Sequence, residues 1–239
     1  MNALAAPFPY FGGKRRAAPL VWQALGDPSG YVEPFAGSAA VLLARPAFTG
    51  RRVETINDAD GWLVNTWRAL QLSPDAVAAH AFGPVIEIDY HARLAWLQER
   101  RTPELVSWLE GDPEAHDAKA AGWWLYVVAC GIGDPFGPGP WRVIDGHLRK
   151  LPHLGDAGQA LAAYLNRIAE RLTRVRITCG SWERVVKPSV TRSGAQGDGS
   201  RAIFLDPPYA TSGDLYAHVD TDVSHAVREW CLTKADPAM

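Results

Sequence analysis

Asp206-Pro207-Pro208-Tyr209 holds the residue types best suited to chemistry in this chain. It follows Ala202-Ile203-Phe204-Leu205, an apolar run that reads as a buried parallel strand, so the tetrapeptide falls at a strand's carboxyl end. Open α/β sheets bind ligands at that end. Two successive prolines stiffen the exit and bring a carboxylate, the Pro207 carbonyl and an aromatic ring to one small pocket. Such a pocket suits a planar substrate with an exocyclic amine. Asp206 and the Pro207 carbonyl each accept one amine hydrogen, and Tyr209 stacks on the ring. A plain strand followed by a proline turn is the structural alternative, and four residues alone do not separate the two.

A second strand-to-loop element stands near the start, Tyr31-Val32-Glu33-Pro34-Phe35-Ala36-Gly37-Ser38-Ala39-Ala40-Val41. Tyr31-Val32 reads as a short strand, Gly37 permits a tight turn with close backbone approach, and Ser38 is placed to cap a helix opening at Ala39. One glycine rather than a spaced set argues against a dinucleotide site, while the positive end of a helix still suits a nucleotide-like ligand. Further on, Thr55-Ile56-Asn57-Asp58 ends another short apolar strand and puts Asp58 where a carboxylate takes the two hydroxyls of a ribose. An adenosine-bearing cofactor is the simplest tenant. Upstream, Pro9-Tyr10-Phe11-Gly12-Gly13-Lys14 offers a ring to pack on a ligand, a two-glycine turn and a cation to meet a carboxylate.

In their order these motifs resemble the adenine-specific DNA N6-methyltransferases of the group that includes the bacterial and phage Dam methylases. The resemblance covers residues 7 to 70 and 172 to 210. It implies a Rossmann-like α/β sheet dependent on S-adenosylmethionine, with no metal, and double-stranded DNA as the partner. A catalytic domain at 1–72 and 172–239 is implied, interrupted by a mainly helical target-recognition region at 73–171. Tyr10, Gly12, Gly13, Lys14, Glu33, Pro34, Phe35, Gly37, Asp58, Ser181 and Asp206 are implied to face the cofactor, and Asp206, Pro207, Pro208 and Tyr209 to hold a flipped adenine. Ser181 departs from the family, which carries an acidic residue there, near the cofactor's adenine. After the tetrapeptide the family continues with a helix and further strands, whereas 30 residues, 210 to 239, follow here. The C-terminal strands are therefore expected to be missing, leaving a sheet edge that invites self-association. Two rivals stay open: a methyltransferase for another amine or amide, in RNA or protein, and a non-catalytic DNA-binding relative.

The elements that must position these residues alternate as in a parallel α/β fold, with helices at Ala17 to Leu25, from Ala39, at Gly61 to Gln71 and at His218 to Lys234. From Ser73 to about Ala121 the helical spacing of Val77, Leu94, Leu97, Leu105 and Leu109 reads as a helical insertion. Gly131 to Arg142 is too rich in Gly and Pro for regular structure and reads as a loop carrying Phe136, Trp141 and Arg142 toward a partner. Net charge is -2, yet Arg142 to Arg192 carries ten Lys/Arg against four Asp/Glu. Trp141, Arg142, Arg149 and Lys150 are the expected DNA contacts, and Arg167, Arg171 and Arg174 share one helix face that phosphates or solvent would meet. Tryptophans 22, 62, 67, 96 and 108 are expected in the core. Three widely spaced cysteines fit neither a disulfide framework nor a metal cluster, and with no apolar stretch of membrane length they imply a cytoplasmic protein.

Overall fold

A computed structural model describes residues 4–10, 12–46, 52–84, 86–100, 102, 104–112, 114–130, 143–144, 147–148, 158–191, 200–208 and 221–234. The expected DNA contacts Trp141, Arg142, Arg149 and Lys150, as well as Phe136 and Tyr209, lie outside the described residues.

In chain order the elements are α1 (Ala18–Leu25), β1 (Gly30–Glu33), α2 (Ala40–Leu43), β2 (Val53–Asp58), α3 (Gly61–Leu72), α4 (Pro74–Ala81), α5 (Glu87–Glu99), α6 (Glu104–Gly111) and α7 (Ala118–Cys130). A short hairpin follows, β3 (Val143–Ile144) with β4 (His147–Leu148), then α8 (Gly158–Leu172), β5 (Val175–Cys179), α9 (Pro188–Thr191), β6 (Arg201–Ile203) and α10 (Thr221–Lys234). Among the described residues, no helix is long and apolar enough to cross a membrane.

Four strands form one parallel sheet in the order β5-β2-β1-β6. The chain therefore steps outward from β1 through β2 to β5 and returns to the other side of β1 for β6. That reversal is the switch point at which open α/β sheets leave a crevice beyond their carboxyl ends. Register places Tyr31 beside Ala202 and Glu54, with Ile56 two residues beyond Glu54 on the same face. This face meets the main core, where α3, α4, α7 and α8 pack through Leu63, Trp67, Val77, Trp124, Leu125 and Leu165. The helices expected as an insertion thus share one apolar core with α3. On the other face Ile203 joins a smaller cluster with Phe35, Trp182, Val223 and Val227, by which α10 covers the carboxyl end of β6.

Strand β6 differs from the buried strand expected before Asp206. Among the described residues it is a short edge strand, half-buried on both sides of Ala202. One feature of the basic segment also differs. Arg171 is 8% exposed, and its guanidinium makes two bonds to Glu54, at 2.7 and 2.8 Å. Arg45 meets the same carboxylate at 2.9 Å, and although burial pushes Glu54 upward, the guanidiniums hold its carboxyl below the usual range. Arg171 is therefore a core residue, because a carboxylate inside the sheet face must be paired; Arg167 and Arg174 are exposed. Trp22, Trp62 and Trp67 are buried and Trp96 packs at the margin of the core, but Trp108 is 45% exposed on α6, whose inward face is taken by Leu109.

Candidate functional site

The loop after β1 is built to be held from behind. Gly37 sits at φ +46°, and a β-carbon there would lie 2.7 Å from the Tyr10 ring, so both backbone and space demand glycine. Ala39, at φ 48°, continues the left-handed turn. Two indoles hold the turn and the helix after it: Trp67 Nε1 donates to Gly37 O at 3.0 Å and Trp22 Nε1 to Val41 O at 2.7 Å. Ser38 does not cap the helix as expected. Helix α2 is only four residues long, Ala39 is its N-cap and makes no side-chain cap bond. Its orphan donor is met from the strand instead, where Glu33 Oε2 accepts from Leu42 N at 3.1 Å and from Tyr31 Oη at 3.1 Å. Burial pushes the Glu33 carboxyl up to about 8, so it is neutral at pH 7 and can accept these bonds without an unpaired charge.

Asp58 ties this loop to β2. Its Oδ2 accepts from Gly37 N at 2.9 Å and its Oδ1 from Asp60 N at 3.0 Å. Burial raises its carboxyl to about 6 against the pull of those backbone donors. The carboxylate expected to serve a ribose thus also shapes the loop, leaving its remaining lone pairs for a ligand. Next to it, buried Asn57 joins three strand ends. Its Nδ2 donates to Pro34 O at 3.0 Å and Gly180 O at 2.9 Å, and its Oδ1 accepts from Thr178 Oγ1 at 2.9 Å.

The remaining strand ends close on the same space. Lys14 Nζ lies 2.6 Å from Asp206 Oδ2 and donates to Gly12 O at 2.7 Å. Pro208 O accepts from Ser224 Oγ, so α10 holds the double-proline exit from outside. Ser181 caps the one-turn helix Trp182–Val185 by accepting from Glu183 N at 3.4 Å.

These parts surround a single cavity of about 720 Å³, within the range for a small-molecule site. Tyr10, Gly12, Gly13 and Lys14 line it from the amino-terminal turn, and Glu33, Pro34, Phe35 and Gly37 from the loop after β1. Asp58, Ser181, Asp206 and Pro208 complete the expected set; Pro207 stands between two lining residues, and Tyr209 lies outside the described residues. Asp60, Trp182, Glu183 and His225 also line the cavity and were not among the expected site residues. Glu183 restores a carboxylate two residues beyond Ser181, a position visible only once the one-turn helix is formed. His225 comes from α10, with no local signal to mark it.

Acidic residues outnumber basic ones in the lining, Glu33, Asp58, Asp60, Glu183 and Asp206 against Lys14, the only lysine or arginine among the described lining residues. Such a cavity favours a ligand with positive or hydrogen-donating groups and at most one carboxylate. Among the described residues there is no group of three or more His, Cys, Asp or Glu that could hold a metal ion. No protein-family model matches the chain, and no curated protein matches it.

Proposed function

We propose that the chain is a Rossmann-like methyltransferase that transfers a methyl group from S-adenosylmethionine to the N6 amine of adenine in DNA. The observation that carries this reading is the convergence, at the switch point of a parallel sheet, of the Asp206-Pro207-Pro208 exit with the Gly37 turn and Asp58 around one cavity. The cavity's chemistry fits the cofactor. Asp58 offers acceptors to a ribose, Lys14 a cation to an amino-acid carboxylate, and the surplus carboxyls suit its ammonium and sulfonium groups. When bound, S-adenosylmethionine supplies an electrophilic methyl group.

Adenine's N6 is a poor nucleophile because its lone pair is delocalised into the ring. Asp206 and the Pro207 carbonyl, by accepting the two N–H groups, favour a pyramidal nitrogen with its lone pair aimed into the cavity. Fixing the amine there also supplies the proximity contribution. A base reaches this pocket only by leaving the duplex, with Tyr209 replacing the lost stacking and Trp141, Arg142, Arg149 and Lys150 proposed to grip the DNA.

Incubation with labelled S-adenosylmethionine and unmethylated genomic DNA, followed by nucleoside mass spectrometry, tests the reading. N6-methyladenine is the expected product, and Asp206→Ala lowers its formation by about 100- to 1000-fold while the fold stays intact. Label appearing only in RNA or protein would replace DNA as the substrate, and an Asp206→Ala enzyme keeping a tenth of its turnover would remove Asp206 from the chemistry.

A further inference from the structure

The ion pair between Lys14 and Asp206 occupies the acceptor that the methyl-transfer reading assigns to the amine. An ammonium presents N–H donors much as an aromatic amine does, and at 2.6 Å Lys14 Nζ takes the Asp206 carboxylate for itself. Lys14 comes from the amino-terminal turn and Asp206 from the exit of β6, so the contact spans the crevice. Both side chains keep some access to solvent, 22% and 24%, so the pair can be exchanged rather than being sealed in the core. Among the described lining residues Lys14 is also the one lysine or arginine that a ligand's carboxylate can meet. The two demands on one ammonium compete.

Resting on the methyl-transfer reading, we propose that Lys14 is a latch on Asp206, drawn off by the carboxylate of a bound S-adenosylmethionine or its product, so that the amine-accepting site opens only after the cofactor is in place. Lys14 is a positioning residue in this scheme. It acts through Asp206 and sets the order of binding, with cofactor first and adenine second. By linkage, breaking the pair is a cost charged against any ligand that recruits Lys14, and against no ligand that leaves it alone.

Calorimetric binding of two ligands to the whole chain tests this: S-adenosylhomocysteine, and the same molecule without its carboxylate. Asp206→Asn removes the ion pair while Lys14 keeps its bond to Gly12 O. It is expected to tighten S-adenosylhomocysteine by about fivefold, the upper end for a partly exposed ion pair, and to leave the decarboxylated analogue unchanged. Lys14→Met is expected to bring the two ligands to similar affinity, and adding Asp206→Asn to Lys14→Met to change nothing further. Circular dichroism confirms that each variant is folded, and the Lys14→Met pair of measurements stands even where Asp206→Asn does not. Weaker or unchanged binding of S-adenosylhomocysteine to Asp206→Asn, or equal tightening of both ligands, overturns the latch while leaving methyl transfer standing. No binding of S-adenosylhomocysteine to the unaltered chain overturns the methyl-transfer reading and the latch together.

Discussion

Glu33→Gln isolates the buried carboxyl that organises the loop after β1. In the unfolded chain this glutamate ionises near 4.5, whereas in the fold burial keeps it protonated up to about 8. Between those values the folded state binds more protons than the unfolded one, so the contribution of Glu33 to stability is fully present below pH 4.5 and is lost as pH rises through 8. At ~1.4 kcal/mol per pH unit the gap is worth about 5 kcal/mol, a large share of the ordinary stability of a domain. Glutamine keeps an oxygen to accept from Leu42 N and Tyr31 Oη, and it has no proton to lose. Urea unfolding of both proteins at pH 5 and pH 8.5 reads the difference directly. At pH 5 the two should agree within about 1 kcal/mol, since a neutral acid and an amide make similar bonds there. At pH 8.5 the variant should be the more stable by several kcal/mol, up to the ceiling of about 5 kcal/mol. Parallel stability profiles across this window would refute the neutral acid, and with it the account of why a carboxyl can sit beneath the loop.

Gly37→Ala should cost about 1–2 kcal/mol for the left-handed backbone, and more if the Tyr10 ring cannot retreat, with a fall in melting temperature and weaker S-adenosylhomocysteine binding as the measured effects. Asn57→Ala leaves the Pro34 and Gly180 carbonyls without their donor and should destabilise by about 2–4 kcal/mol in urea, with an unaltered m-value. Arg171→Leu should cost about 3 kcal/mol because Glu54 stays buried with less compensation, while Arg167→Ala, on the exposed face of α8, should stay within about 0.5 kcal/mol.

The first two strands of the sheet and several helices were legible because their signals are local. Gly30–Glu33 and Val53–Asp58 are short strands ended by Pro34 and Asp58, and Gly61–Leu72 follows an Asp that caps it, Asp60 accepting from Trp62 N at 2.8 Å. The residues lining the cavity were legible for a related reason. They sit where strands stop, and a parallel sheet gathers all its carboxyl ends on one side. What sequence reasoning missed is long-range partnership. Ser38 has the side chain of a helix cap and Ala39 does not, yet Ala39 takes the position, because Glu33 reaches Leu42 N from the strand. Nothing in the neighbourhood of Ala39 announces a left-handed residue.

Arg171 shows the same limit from the other side. A helix with Arg at 167, 171 and 174 reads as one basic face, and periodicity cannot say that the middle residue turns to a carboxylate on β2. The decisive fact is Glu54, an ionised acid on a buried sheet face, which costs too much to bury alone and so recruits Arg45 and Arg171. A charged residue within a strand pattern is therefore a demand for a partner, and the first cation on a helix packed against that strand is the place to look. The same reasoning applies at the cavity. Asp206 at a strand exit demands a donor, and in this structure Lys14 answers it. Arg171 and Glu54 are both enclosed by the core, out of a ligand's reach, whereas Lys14 stands in a cavity where a ligand can compete with Asp206. Burial of the partner thus separates an ion pair that builds the fold from one that can take part in binding.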